Sequence, residues 1–243
     1  MPTLLMRLAG PLQSWGTSSH FNNRGTAREP SKSGVIGMVA AAMGRSRDDS
    51  VDDLASLRYG VRVDQEGPIL RDFHTARHPT NQKLAFVTNR YYLSDSVFIA
   101  GLEGDAALLE EADMALRSPQ YPLFLGRRSC PPAGRVSLGI REMSLEKALE
   151  SEPWCASEWY MRRQGKEVDL EIVTDSPEGG DSEEIVRDVP ESFSQERREF
   201  SVRSVSRKIS GKHVENALGR EYADHDAMAE VARSGRCTYQ EWN

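Results

Sequence analysis

Two segments of helical periodicity lie between short apolar runs, and that interleaving restricts the chain to folds in which helices pack on a sheet assembled from separated strands. The first segment, Lys32 to Gly44, sets Val35, Ile36, Val39, Ala40 and Met43 at helical spacing, with Ser31 or Ser33 able to cap its start and Gly44 able to close it. Gly37 inside it costs about 1 kcal/mol relative to alanine, which points to close packing at that position. The second segment, Asp105 to Arg117, gathers Leu108, Leu109, Ala112 and Leu116 on one side and is stopped by Ser118-Pro119.

Around these helices the strand signals fall in order. Thr3 to Leu8 is a short apolar run ending at Gly10-Pro11, which reads as a buried first strand. Arg58 to Asp64 alternates Tyr59, Val61 and Val63 with Gly60 and Arg62, and the turn residues Gln65-Glu66-Gly67-Pro68 lead to Ile69–Thr75, so the two read as a hairpin. His78 to Thr88 is polar, and Tyr91 to Gly101 reads as one further strand. Gly134 to Ile140 is expected as an edge strand and Ser144 to Ser151 as a short helix. This order predicts an α+β fold with a ferredoxin-like sheet and helices on one face. At 243 residues the chain has room for a main domain over 1–150 and a smaller β-rich one over 151–243, where the character changes to two tryptophans, an acidic stretch and a basic return from Arg197 to Lys212.

A net charge of −6 argues by itself against a nucleic-acid binder, but the charges are segregated. From Met1 to Arg47 the basic residues Arg7, Arg24, Arg28, Lys32, Arg45 and Arg47 face the single acid Glu29. Tyr121 to Arg141 holds Arg127, Arg128, Arg135 and Arg141 with no acid, whereas Gly165 to Glu191 is dominated by acids. Local field governs phosphate binding, so one basic face is compatible with the total. No run approaches the roughly 20 apolar residues of a membrane span, and the start reads as a strand and not as a leader, so the expected location is the cytoplasm. Cys130, Cys155 and Cys237 show no CxxC spacing and are expected as reduced thiols, with no metal site and no cofactor.

Chemistry-bearing residues concentrate in loops. The segment Arg24 to Gly34 leads into the first helix, whose unpaired N–H groups and dipole, with Arg24, Arg28, Lys32 and Ser33, would suit a phosphate. It carries no GxxxxGK[ST] pattern, so nucleotide hydrolysis is not implied, and a capped helix with solvated arginines is the alternative. Trp15, in the glycine-punctuated Gly10 to Gly16 loop, could stack on a base and Gln13 could bond a base edge; filling a gap over the core is the competing role for Trp15. Arg127 and Arg128 stand in a second rigid loop, Leu125 to Pro132, where their guanidinium groups could fork onto phosphates. His74, after Asp72-Phe73 near a strand end, invites a catalytic reading because imidazole titrates close to neutral pH, with a hydrogen-bonded structural role as the favoured alternative, and the remaining histidines form no metal or hydrolase motif.

Four segments taken together carry a family likeness: Leu8 to Gly16, Pro30 to Gly37, Arg71 to Thr75 and Leu125 to Pro131. In order and spacing they resemble the Cas-five family of CRISPR-associated proteins in its type I-E Cascade form, over about the first 140 residues. The resemblance implies an RRM-like, repeat-associated RNA-binding core with a protruding hairpin thumb around 77–92. It implies a non-catalytic subunit that grips the 5′ handle of the CRISPR RNA, contacts the Cascade backbone subunit and large subunit, and meets target DNA only through the assembled complex. Gln13, Trp15, Arg24, Arg28, Lys32, Ser33, His74, Arg90, Arg127 and Arg128 would then form the RNA contact surface. Type I-C relatives in the family cut precursor RNA themselves, so the competing expectation is a metal-independent endoribonuclease in which His74 acts as base and Lys83 supports the leaving oxygen.

Overall fold

The structure is a computed structural model and is described here for residues 1–16, 23–77, 85–176 and 184–220. In chain order its elements are β1 (Thr3–Ala9), β2 (Leu12–Gln13), β3 (Asn23–Arg24), α1 (Lys32–Ala42), α2 (Asp52–Ala55), β4 (Arg58–Gln65), β5 (Ile69–Arg77), β6 (Ala85–Ser94), β7 (Val97–Glu103) and α3 (Ala106–Arg117). They continue with β8 (Ser137–Arg141), α4 (Leu145–Ser151), α5 (Glu158–Met161), β9 (Glu167–Asp175), β10 (Glu184–Ser192) and β11 (Glu199–Glu215). The class is α+β. A seven-stranded antiparallel sheet runs β10-β11-β9-β4-β7-β1-β8, and a smaller sheet is built from β2, β3, β5 and β6.

Both predicted helices form where the periodicity placed them. The Ser31 hydroxyl caps α1 by accepting from the Gly34 N–H at 3.2 Å, and the Asp105 carboxylate caps α3 by accepting from the Leu108 N–H at 3.0 Å. Leu4, Met6 and Leu8 of β1 pack with α1 and α3 in the main core, while Leu5 points the other way and packs with Leu145, Ala148 and Leu149 of α4. Helices therefore cover both faces of the sheet and not one. This explains why β7 is buried along its whole length and β1 at every position but Arg7, with no alternation. β8 is the expected edge strand. No helix among the described residues is long and apolar enough to cross a membrane.

Four expectations about the strands change. β4 does not form a hairpin with β5, because both of its edges are occupied, one by β7 and the other by β9. The chain instead leaves the large sheet at residues 66–68, where the Ser94 N–H donates to the Pro68 carbonyl at 3.0 Å, and β5 pairs with β6 in the smaller sheet. The single strand expected from Tyr91 to Gly101 is broken at Asp95, whose φ of 55° turns the backbone and separates β6 from β7. The interruption expected around 77–92 lies partly at 78–84, outside the described residues, and the arms that flank it are longer than expected, 69–77 and 85–94. The strands beyond residue 151 are β-rich as expected, but they extend the same sheet through the β9–β4 pairing.

The connection from α4 into that C-terminal block is fixed by one buried cation. The Arg62 side chain is fully buried and forks onto Asp64, Nε to Oδ1 at 2.6 Å and Nη2 to Oδ2 at 2.9 Å. It also donates to the Leu149 carbonyl, to the Glu152 carbonyl at 2.6 Å and to the Pro153 carbonyl at 2.8 Å. Removing it would take away the cation that balances Asp64, leaving that buried carboxylate with only the Cys155 N–H at 2.6 Å, and would leave the Leu149 carbonyl without a described partner. We expect Arg62→Ala to lower the unfolding free energy by about 3–5 kcal/mol in urea titrations. A loss within about 0.5 kcal/mol, the scale of a neutral surface change, would show that this guanidinium does not hold the segment.

Candidate nucleic-acid interface

The start of α1 is an anion site, and the protein fills it from within. The Lys32 N–H donates to Asp188 Oδ2 at 2.7 Å, and the Lys32 ammonium pairs with Asp175 Oδ2 at 3.2 Å. Arg203 bridges the two acids, with Nε to Asp188 Oδ1 and Nη1 to Asp175 Oδ1 both at 2.6 Å, and its guanidinium lies 5.1 Å above the Tyr59 ring. Burial holds the Lys32 ammonium below its ordinary pKa in spite of the opposing charge of Asp175. Lys32, 5% exposed, is thus a structural cation and not the phosphate donor expected from its loop. Ser33, half-buried, lies 3.5 Å from the Ser31 hydroxyl.

Gln13 and Trp15 are likewise turned inward; both are fully buried. Trp15 Nε1 donates to Gln13 Oε1 at 3.1 Å, and the Gln13 amide donates to the Leu8 and Ser96 carbonyls at 3.1 and 2.7 Å. Gly34 makes the space, since a Cβ there would lie 2.8 Å from Trp15 Cε3. The expectation that this pair meets exposed bases is therefore corrected: the indole fills the core under α1, and the amide saturates it.

Arg127 and Arg128 separate in role. Arg127 Nη2 donates to the Arg24 and Gly25 carbonyls at 2.7 and 3.2 Å, Nη1 donates to the Tyr91 carbonyl at 3.3 Å, and the guanidinium stacks 4.9 Å from the Tyr92 ring centre. Its donors staple β3 to β6 and are not free to fork onto phosphate. The loop is held beneath by Gly126, which has a φ of +81° and where a Cβ would lie 1.9 Å from the Ser14 carbonyl oxygen, so only glycine is admitted. Arg128 is exposed and forms no ion pair with a described residue.

The remaining residues converge on one face of the small sheet. Arg24 and Arg90 are Cα partners across the parallel β3–β6 pair, and Asp72 is the partner of Arg90 on the opposite strand. Strand alternation puts His74 on the same face as Asp72, and its Nε2 lies 2.5 Å from Asp72 Oδ2. Arg24 is exposed, and Arg90 is half-buried with an Nε that is shielded and unpartnered. Neither forms an ion pair with a described residue. Arg28 is exposed nearby, in a loop tied to the core by the Ala27 N–H donating to the Trp15 carbonyl at 2.8 Å. His74, expected at a core strand end, sits half-exposed on this hairpin. The Asp72 partner follows from the i, i+2 spacing within the strand expected over Ile69–Thr75.

Residues 3–206 match the family model described as CRISPR-associated protein (Cas_Cas5). The chain belongs to this family. Among Cas_Cas5-type relatives, the CRISPR system Cascade subunit CasD of Escherichia coli (strain K12) is 34% identical over 172 residues, 60% of this chain and 75% of CasD. A crystal structure described as a Cas protein is 42% identical with a TM-score of 0.67, covering 86% of this chain and 94% of that one. A chain of a CRISPR RNA-guided surveillance complex is 29% identical with a TM-score of 0.72, covering 95% of this chain and 98% of its own. The family likeness carried by the four sequence segments is thereby borne out.

The different surroundings of the paired arginines give a direct test. Arg127→Ala is expected to lower stability by about 1.5–3 kcal/mol, the range for losing charged hydrogen bonds, whereas Arg128→Ala should stay within about 0.5 kcal/mol of the parent in thermal or urea unfolding. Equal effects of the two substitutions would remove the clamp role assigned to Arg127.

Proposed function

We propose that the chain is a non-catalytic CRISPR RNA-binding subunit of a Cascade-type surveillance complex of type I-E, gripping the 5′ handle of the guide RNA. Membership of the Cas_Cas5 family and the likeness to CasD and to a chain of an RNA-guided surveillance complex support the assembly. The observation that carries the RNA role is the Arg24–Arg90 pair: two arginines at Cα partner positions of β3 and β6 in the smaller sheet, neither in an ion pair with a described acid. Each guanidinium presents a planar fork of donors suited to a phosphate. Arg28 and Arg128 extend the positive surface. The backbone subunit and large subunit of the complex would be the protein neighbours, and target DNA would be met only through the assembly.

The core is read as ferredoxin-like, a reading supported by the chain order β1-α1-β4-β7-α3-β8 and the spatial order β8-β1-β7-β4. The β5–β6 hairpin takes the part of the thumb.

A second reading, a metal-independent endoribonuclease, is favoured by the His74–Asp72 pair beside Arg90, since a carboxylate-bound imidazole is the arrangement a general base needs. Lys83, expected to assist it, lies outside the described residues. Incubating the purified chain with precursor repeat RNA and no metal should yield no specific product; cleavage that His74→Ala reduces by about a hundredfold or more would establish the enzyme reading instead.

The phosphate-gripping role is tested by salt dependence. Arg24→Ala with Arg90→Ala should weaken binding of a repeat-derived single-stranded RNA and reduce the slope of log affinity against log salt by about 0.7 for each phosphate no longer neutralised. Affinity and slope that match the parent across the salt range would remove this face from the RNA site.

A further inference from the structure

We infer that the opposite face of the same hairpin is a base-stacking platform for one splayed nucleotide of single-stranded RNA, centred on Phe73; this rests on the RNA-binding reading above. Phe73 lies in the middle of β5 with 69% of its surface exposed, where an apolar ring gains nothing from the fold. Its partner across β6 is Asn89, and the partner of Asn89 on β3 is Asn23. The three side chains form a row across three strands on one face. The Asn89 amide donates to Asn23 Oδ1 at 3.2 Å, and Arg71 donates to Asn89 Oδ1 from Nε at 3.2 Å and Nη2 at 3.0 Å.

This row has the parts that unpaired-base recognition requires. An exposed ring supplies a π-face, and beside it stand hydrogen-bonding groups at the reach of a base edge. Arg71 and Asn89 are held by each other, so the row is fixed before a ligand arrives, while the Asn23 amide N–H groups and Arg71 Nη1 make no hydrogen bond with a described residue. No described residue on this face carries a negative charge, and Arg71 and Arg77 are exposed on it. The electrostatics therefore match a polyanion, and the polar row distinguishes the face from an apolar protein contact, although Ile69 and Val87 are also exposed there. Phosphate-holding Arg24 and Arg90 occupy one face of a single-layer sheet and the ring occupies the other. A strand bound by both turns a nucleotide around the sheet edge.

The test uses the full chain and a repeat-derived single-stranded RNA, together with a series in which each base in turn is removed to leave an abasic ribose. Phe73→Ala should weaken binding of the intact RNA by about 5- to 150-fold, the range expected for losing one stacked base, and Phe73→Trp should restore it. One abasic position should cost the parent a comparable factor and leave Phe73→Ala with no further loss. A Phe73→Ala chain that binds intact and abasic RNAs as the parent does overturns the platform while the arginine test still stands. An equal loss on every abasic RNA overturns stacking as its cause. Unchanged RNA affinity with a reduced yield of assembled complex overturns the platform and assigns the face to a protein neighbour. A parent chain that binds none of these RNAs overturns the RNA reading and the platform together.

Discussion

The fold hinges on the Asp188 carboxylate at the start of α1. It accepts from the Lys32 N–H and from Arg203, and Arg203 in turn grips Asp175, which also accepts from the Tyr59 N–H at 2.8 Å. One network thus joins β10, β11, the end of β9, the start of β4 and the first turn of the helix. Two cations and two carboxylates balance, which is the condition under which burying charge is tolerated. Its contribution is specificity more than net stabilisation: with these partners fixed, β9 is held between β11 and β4, and that edge of β4 is thereby denied to β5. β5 pairs instead with β6 in the smaller sheet.

That chain of consequences marks what can be read from the sequence. α1, α3, α4 and the first and last strands of the core are legible because their signals are local: helical spacing, a capping serine or aspartate, a continuous apolar run. A β4–β5 hairpin is the wrong expectation because the strand that excludes it, β9, comes more than a hundred residues later, and no pattern within Arg58–Thr75 announces it. Lys32 resembles a phosphate donor for the same reason, since its carboxylate partners lie 143 and 156 positions away. Gln13 and Trp15 sit among glycines, which ordinarily signal an exposed loop, but here Gly34 leaves the space into which the indole packs. Arg127 and Arg128 are indistinguishable as a dipeptide; Tyr92 and three carbonyls select one of them as a clamp.

The hairpin itself has an unusual energetic position. β5 and β6 pair without a register break from Ile69–Leu93 to Arg77–Ala85, yet Ile69, Leu70, Phe73 and Val87 remain exposed. A two-stranded ribbon is marginal in water on its own. Anchoring comes from its base, where Tyr92 and Leu93 are buried, Arg127 stacks on Tyr92, and β2 and β3 add short pairings. Beyond that base the described contacts are the backbone pairing, the Arg71–Asn89–Asn23 row on one face and the His74–Asp72 pair on the other.

Charge pairing, more than net charge, then directs which ligand that is. Over the body of the molecule several arginines are held in close ion pairs, Arg45 by Asp53, Arg58 by Glu103 and Glu146, Arg141 by Glu152, Arg203 by Asp175 and Asp188, and Arg207 by Glu29, Glu171 and Glu184, while Arg47, Arg135 and Arg187 have no described acidic partner. On the hairpin and its flanking loops, Arg24, Arg28, Arg90 and Arg128 have no such described partner, and Asp72, the acid beside Arg90, is engaged by His74. Matched pairs cancel within a few ångströms and are screened further by salt, whereas the unmatched guanidinium groups share one region and add. An acidic chain with a net charge of −6 therefore carries a locally positive region. The described acids that pair with arginines lie over the body and leave Arg24, Arg28, Arg90 and Arg128 without an acidic partner, as the RNA role proposed above requires.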